Sequence, residues 1–196
     1  MLKLFLRGIK QVSRVIENPE QLILSKAKEI LYNEGYKKLS MRNLSKACDI
    51  ALGTIYNYFP TKKDLYIAMM TDYWQEYFYK LESIVDSNCT FYDKLNKIFS
   101  ELSVFIRTFK ELWLKPELYE NPDYIKSGIE KEDIYIEKLV CFIEKLLTNE
   151  INANKVHCKL GTYETAKFIL MNFITIIQMP VFKYSSFEII LKELIN

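Results

Sequence analysis

The chain contains 196 residues, of which 49% are hydrophobic and 27% are charged, and its formal net charge is +2. These fractions are typical of a globular protein with an ample core, and they exclude a disordered or fibrous chain. Only five glycines and five prolines are present, which favours long helices over turns. The most apolar stretch, residues 168–182, contains polar residues and is too short to span a membrane, so we expect a cytoplasmic protein.

Charge is distributed unevenly along the chain. Residues 1–63 contain 12 basic and 5 acidic side chains, a local balance of +7, whereas residues 64–196 contain 15 and 20, a balance of −5. A basic segment beside an acidic one indicates that the first part meets a polyanion and the second does not.

The first predicted helix begins after Asn18, which can cap it, with Pro19 at the first helical position. Apolar residues then recur at helical spacing until Gly35, which we expect to end the helix in the left-handed conformation. Further on, Thr61 and Asp64 form a capping box that predicts a long helix reaching about Val85.

Between these helices, residues 40–60 have the layout of a helix-turn-helix. Ser40 caps a short helix that runs to about Ala47, residues 48–50 form the turn, and a second short helix covers about residues 52–58. In this motif the second helix projects from the protein surface and binds in the major groove of DNA.

The rest of the chain continues with helical periodicity. Apolar residues form a stripe from Tyr92 to Phe109, Pro116 and Pro122 interrupt it in a short irregular region, and further helices are predicted over 134–147, 162–179 and 186–195. Residues 149–161 are polar and predict a loop. No strand alternation is present, so the predicted fold class is all-α with about nine helices.

Several spaced features around the helix-turn-helix resemble the TetR family of bacterial transcription regulators. They follow one another in the family's order over about residues 14–70: Gly35-Tyr36, Leu39 to Arg42, Ala47, Ile50, Gly53 to Phe59, Lys62, Asp64 and Leu65. The resemblance implies an all-α homodimer. Its DNA-binding domain, with a basic arm, would be residues 1–63, and its effector-binding and dimerisation domain would be residues 64–196.

The resemblance and the chemistry of the side chains indicate which residues contact DNA. Ser40 places a helix N-terminus where a phosphate can bind, and Arg42 can reach a guanine edge or a phosphate. Gly53 allows the recognition helix to approach closely, and Thr54 and Tyr56 offer hydroxyls to phosphates. The full set of predicted DNA-binding residues is Ser40, Arg42, Leu52, Gly53, Thr54, Tyr56, Asn57, Tyr58 and Lys62.

Within that set, Tyr58 and Lys62 resemble the family's phosphate clamp. Asn57 is open to two interpretations, an adenine contact or an idle exposed side chain. Lys10 and Arg14 can form an arm that reaches the minor groove. We expect five apolar residues to face inward and pack the three-helix unit, namely Leu44, Ala47, Ile50, Ile55 and Phe59.

Three positions depart from the family pattern. Asp49 stands where a turn glycine is usual, although aspartate tolerates the left-handed conformation better than most residues. Ala51 replaces the usual serine or threonine cap, at a cost of about 1 kcal/mol to the recognition helix. Leu52 occupies a position often held by a polar residue, so it either contacts thymine methyl groups or reduces specificity.

The second domain is rich in aromatic residues, most of which must be ordinary core. A subset is predicted to line an apolar ligand cavity between helices, which suits an apolar, aromatic or lipophilic cationic effector. This subset is Phe105, Phe109, Trp113, Tyr135, Phe142, Phe168 and Phe173. The two C-terminal helices, 163–179 and 186–195, are expected to form a four-helix bundle with a second subunit, as in the family.

The expected function is therefore a repressor that binds a palindromic double-stranded DNA operator and leaves it when an effector binds. Two alternatives stay open, namely an effector-independent DNA-binding protein and an activator. An enzyme is not expected: the chain has one histidine, no phosphate-binding glycine loop and no catalytic triad. Its four scattered cysteines contain no Cys-x-x-Cys pair, so we predict reduced thiols, no metal site and no cofactor.

Overall fold

The computed structural model describes residues 17–113 and 122–195, and over residues 122–132 it describes the backbone alone. The described residues form eight helices and no strand, so the predicted all-α class is confirmed. The helices are α1 Pro19–Glu34, α2 Met41–Cys48, α3 Leu52–Tyr58, α4 Lys62–Val85, α5 Phe91–Leu112, α6 Pro122–Asn152, α7 Thr162–Gln178 and α8 Tyr184–Leu194.

Helix ends follow the predicted capping chemistry in the first half of the chain. The Asn18 side chain accepts a hydrogen bond from the Gln21 amide at 3.1 Å, and Pro19 is the first residue of α1. Gly35 ends that helix with φ of 84°, in the positive range where glycine has no steric penalty, but its ψ of 170° is extended and differs from the expected left-handed helical conformation. At α4, Asp64 accepts from the Thr61 amide at 3.0 Å, and Thr61 Oγ1 accepts from the Asp64 amide at 3.1 Å.

The chain divides into two compact units, one that ends at Met69 and one that begins at Met70. In the first unit, α1, α2 and α3 pack around fully buried side chains contributed by each helix, among them Ile23, Ala27, Leu44 and Ile55. The expectation that Ala47 faces inward is wrong, because Ala47 is exposed. The buried stripe of α2 is instead Met41, Leu44 and Cys48, and a helix of eight residues has room for only one such stripe.

In the second unit, α5, α6, α7 and α8 pack with the later part of α4 around one hydrophobic core. Helix α6 differs from the prediction: it begins at Pro122, well before the predicted range 134–147, and it ends at Asn152, so the first residues of the predicted loop 149–161 are helical. Pro122 is compatible with a helix start because the first helical residue needs no amide donor. The predicted irregular region around Pro116 lies largely outside the described residues. Among the described residues, no helix is long and apolar enough to cross a lipid bilayer.

Helix α3 begins without a side-chain cap, since its N-cap residue is Ala51. We predict that Ala51→Ser stabilises the protein by about 1 kcal/mol, because a serine hydroxyl can accept from a free amide in the first turn. Equilibrium urea unfolding measures this change. Ala47→Ser in exposed α2 is the matched control, and it should destabilise by roughly 0.5 kcal/mol through helix propensity alone. Equal effects of the two substitutions would contradict the capping explanation.

Candidate nucleic-acid interface

The start of α2 is fixed by two hydrogen bonds that both involve Asn43. The Ser40 hydroxyl accepts from the Asn43 amide at 3.2 Å, and the Asn43 side chain donates to the Lys38 carbonyl at 2.9 Å. The second bond ties the helix to the segment before it. Ser40 is half-buried and Arg42 is exposed, so the predicted phosphate site at this helix start is accessible.

The turn between α2 and α3 is held by Asp49 and Ser45. Asp49 lies in the left-handed region with φ of 53° and ψ of 43°, as predicted, and its amide bonds to the last turn of α2. Ser45 Oγ donates to the Ile50 carbonyl at 2.6 Å across the turn. Sequence reasoning missed Ser45, because a serine inside a helix carries no signal that its hydroxyl reaches a carbonyl five residues later.

Helix α3 has an inner and an outer face. Ile55 and the following Phe59 are 0% and 4% exposed and anchor the helix, while Tyr56 and Tyr58 are 45% and 41% exposed. Asn57 and Gly53 are also exposed, and Leu52 and Thr54 are half-buried. The predicted contact residues of α3 are therefore all accessible from outside the protein.

Gly53 has no internal reason to be glycine. A Cβ placed there would meet no heavy atom of the described residues within 4 Å, and the φ of Gly53 lies outside the positive range. A side chain at this position would therefore be tolerated by the fold. The missing side chain matters for something that approaches α3 from outside, which suits a helix laid against a nucleic-acid backbone.

Lys62, at the start of α4, lies over the ring of Tyr36. Its Nζ is 3.7 Å from the ring centroid and donates to the Tyr36 carbonyl at 3.4 Å. Partial burial lowers the pKa of the lysine. Tyr36 in turn meets Tyr66 edge-on at 5.8 Å. The lysine predicted to bind phosphate is thus already oriented by an aromatic ring. The sequence contains Tyr36 in the family motif but does not reveal this contact.

Much of the net positive charge of residues 1–63 is carried by residues outside the described part of the chain. Of the +7 carried by residues 1–63, +4 comes from residues 1–16, which include the predicted arm residues Lys10 and Arg14. Residues 17–63 carry the remaining +3. The described surface can thus make several phosphate contacts, but it contains only part of the charge available for electrostatic binding.

The predicted ligand-lining residues fall into two groups of rings. Trp74 lies at the centre of the first, with ring centroids 4.3 Å from Phe105 and 4.4 Å from Tyr135. We call the group the Trp74 cluster, and its members are Trp74, Tyr77, Phe78, Phe105, Phe109 and Tyr135. Phe142 joins it through Phe78 at 5.9 Å, and Trp113 joins it through Tyr73 at 5.9 Å.

The other two predicted residues lie in a second group. Phe173 is completely buried, with rings of Phe99 and Phe187 at 5.3 and 5.5 Å. Phe168 is 40% exposed and reaches this group through Phe187 at 6.3 Å. Five of the seven predicted residues therefore belong to the Trp74 cluster or adjoin it, whereas Phe168 and Phe173 have other ring neighbours.

Comparison with known proteins bears on the first unit most directly. Residues 23–69 match the family model of bacterial regulatory proteins, tetR family. This segment contains the capped α2, the Asp49 turn, the exposed face of α3 and the start of α4. This segment of the chain therefore resembles the TetR family of bacterial regulatory proteins. Members of this family are DNA-binding transcriptional regulators and not enzymes.

Individual proteins are similar to this chain. An uncharacterized HTH-type transcriptional regulator, YuxN of Bacillus subtilis, is 29% identical over 103 residues, which is 51% of this chain. The matched part spans only 35% of that relative's own length. A transcriptional regulator from Cytophaga hutchinsonii has the same fold, with a TM-score of 0.67, 20% identity, and coverage of 89% of this chain and 91% of that one.

A third similar protein was crystallised with a ligand. It is the transcriptional regulator FadR from Bacillus subtilis in complex with stearoyl-CoA, with a TM-score of 0.55 and 17% identity. The match covers 89% of this chain and 96% of FadR. At this level of identity the likeness concerns the fold alone.

We predict that Lys62→Met weakens DNA binding about tenfold and lowers the slope of log affinity against log salt by about 1, because one phosphate contact is lost. Methionine keeps an apolar stem against Tyr36. Fluorescence anisotropy with labelled DNA at several salt concentrations measures both quantities. Lys110→Met, an exposed lysine late in α5, is the control and should change neither. An affinity loss with an unchanged salt slope would contradict a phosphate role for Lys62.

Proposed function

We propose that this chain is a cytoplasmic repressor that binds a palindromic DNA operator as a homodimer and is released by a small-molecule effector. The observation that supports this most strongly is the exposed face of α3. That face carries Tyr56, Asn57 and Tyr58 beside Gly53, where a side chain would meet nothing within 4 Å among the described residues. It lies in the segment that matches the family model.

In this proposal, α3 enters the major groove and the helix starts on either side bind the backbone. Tyr58 and Lys62 contact one phosphate, and the start of α2 at Ser40 contacts another. Arg42 reaches a guanine edge or a phosphate. Thr54 and Tyr56 give hydroxyls to the backbone. Leu52 contacts a thymine methyl group, and Asn57 contacts an adenine edge.

The proposed dimer uses α7 and α8. These helices expose large apolar side chains that a soluble monomer would leave in water, namely Phe168, Met171, Ile189, Ile190 and Leu194. Two polar residues on the outer surface of α7 can be buried in an interface because their side chains are already hydrogen-bonded. Asn172 and Thr175 each donate to the carbonyl four residues earlier at 2.8 Å. A second copy can therefore cover this surface without leaving those donors unpaired.

A two-fold dimer places two α3 helices about one turn of DNA apart, roughly 34–36 Å, and so requires a palindromic site. The effector is proposed to bind near the Trp74 cluster, where apolar and aromatic side chains are concentrated. The stearoyl-CoA complex of the similar FadR supports the idea that this fold accommodates a ligand with a large apolar part. An effector releases DNA only when it prefers a protein conformation that binds DNA poorly.

Selection of bound DNA from a random pool tests the proposed function directly. The expected result is a palindrome whose half-sites are centred about one helical turn apart, roughly 10 base pairs. The purified protein should then bind this DNA in a gel-shift assay and lose binding with the Lys62→Met and Tyr58→Phe double variant. Recovery of no enriched sequence, or of a sequence without two-fold symmetry, would contradict a dimeric sequence-specific regulator.

We predict that Ile189→Glu converts the dimer into a monomer, because a charge would be buried at the interface. Affinity for the full palindrome should fall by at least about a hundredfold as the second half-site contact is lost, while affinity for a single half-site stays the same. Sedimentation equilibrium and anisotropy measure the two effects. Tyr79→Glu is the control, since Tyr79 is 70% exposed on α4. A variant that remains dimeric would place the interface elsewhere.

A further inference from the structure

The turn between α1 and α2, residues 36–39, is fixed to the rest of the first unit at both ends. Within it, the Leu39 amide donates to the Tyr36 carbonyl at 3.2 Å, and the Leu39 side chain is completely buried. The Asn43 side chain donates to the Lys38 carbonyl at 2.9 Å, which fastens the turn to α2. The backbone that carries the side chains of this turn is therefore held in one place.

The same turn adjoins both helix starts that are proposed to bind the DNA backbone. The Tyr36 carbonyl accepts from Lys62 Nζ at 3.4 Å as well as from the Leu39 amide, so the turn and the start of α4 meet at one oxygen. At its other end the turn runs directly into Ser40, the cap of α2. Any side chain of the turn that reaches into solvent therefore lies close to two proposed phosphate contacts.

Two residues of this turn are exposed, and both are lysines, Lys37 and Lys38. Neither forms an ion pair with another described residue, whereas Lys26 of α1 is paired with Glu29 at 2.6 Å. The sequence from residue 35 to residue 48 contains four basic side chains and no acidic one. The positive charge of Lys37 and Lys38 is therefore not neutralised by neighbours along this segment, and it is available to an anion outside the protein.

We propose that Lys37 and Lys38 contact the DNA backbone in addition to the contacts of Ser40 and Lys62. A duplex that binds at the starts of α2 and α4 passes the turn that joins them, and the long lysine side chains can reach its phosphates. Lysine binds phosphate as a point charge on a flexible stem. The pair therefore adds affinity for any duplex and no preference for a sequence.

Two other roles of the lysine pair make different predictions. If the lysines only add to the net charge of the protein, loss of two positive charges anywhere on the surface should weaken DNA binding equally. If they bind base edges, their loss should weaken binding to the preferred sequence more than to other sequences. A phosphate contact instead weakens binding to all duplexes alike, and each lost contact lowers the salt dependence by about 1.

The test compares two double variants of the full chain that lose the same charge. Lys37→Gln with Lys38→Gln removes the proposed contact, and Lys110→Gln with Lys159→Gln removes two exposed lysines of the second unit. Fluorescence anisotropy at several salt concentrations measures binding to a labelled duplex of mixed sequence and to the duplex recovered by selection. Urea unfolding checks that both variants are as stable as the wild type.

We expect the variant of Lys37 and Lys38 to lower the slope of log affinity against log salt by about 2 and to weaken binding to both duplexes at least about tenfold. The control variant should leave the slope unchanged. An unchanged slope in the test variant, an equal loss in the control, or a loss confined to the selected duplex would each overturn the proposal.

The inference rests on the proposed function, and the two can fail separately. If Lys62→Met lowers the salt slope and the variant of Lys37 and Lys38 does not, the interface stands and the additional contact is rejected. If the wild-type protein binds neither duplex, both proposals are rejected.

The wild-type protein gives an independent readout that needs no variant. Lysines acetylated by N-hydroxysuccinimide acetate are identified by mass spectrometry, with and without saturating duplex DNA. Bound DNA should reduce the acetylation of Lys37 and Lys38 several-fold, because their amines are covered by phosphate, and should leave Lys110 and Lys159 equally reactive. Equal acetylation of Lys37 and Lys38 in the free and the bound protein would overturn the proposal.

Discussion

The first unit depends on how a very short helix is kept in place. Helix α3 has seven residues and no side-chain cap, and a helix of this length does not persist in water by itself. Burial of Ile55 and Phe59 supplies the anchoring, and the Asp49 turn with the Ser45 hydrogen bond supplies the orientation. Because both anchors lie on one face, the opposite face is presented to the outside in a fixed orientation. That presentation is what a groove-binding helix requires.

Lys62, at the start of α4, is likewise held in one orientation before DNA binds. An exposed lysine loses much side-chain freedom when it closes on a phosphate. Lys62 has already lost part of that freedom against Tyr36, and burial has lowered its pKa by removing water from the ammonium group. A phosphate that approaches it replaces the missing solvation. The contact therefore gains both from reduced entropy loss and from restored charge stabilisation.

Sequence reasoning succeeded where local chemistry decides the structure. Capping residues located the starts of α1, α2 and α4, and an aspartate that tolerates the left-handed region located the turn. It failed where residues far apart in the sequence determine the structure. Nothing in the sequence shows that Lys62 contacts Tyr36, or that the ring neighbours of Phe173 include Phe99 and Phe187. The sequence predicts that Pro122 interrupts the helical pattern, whereas in the structure Pro122 begins α6. The sequence alone does not distinguish a proline that ends a helix from one that begins it.

Helix α4 contributes residues both to the candidate nucleic-acid interface and to the Trp74 cluster. It begins with Lys62, and Tyr77 follows fifteen residues later on the same helix. An effector that binds near the Trp74 cluster stabilises whichever arrangement of the surrounding helices accommodates it. It can change DNA binding only through a difference in free energy between two such arrangements, and equal binding to both would change nothing.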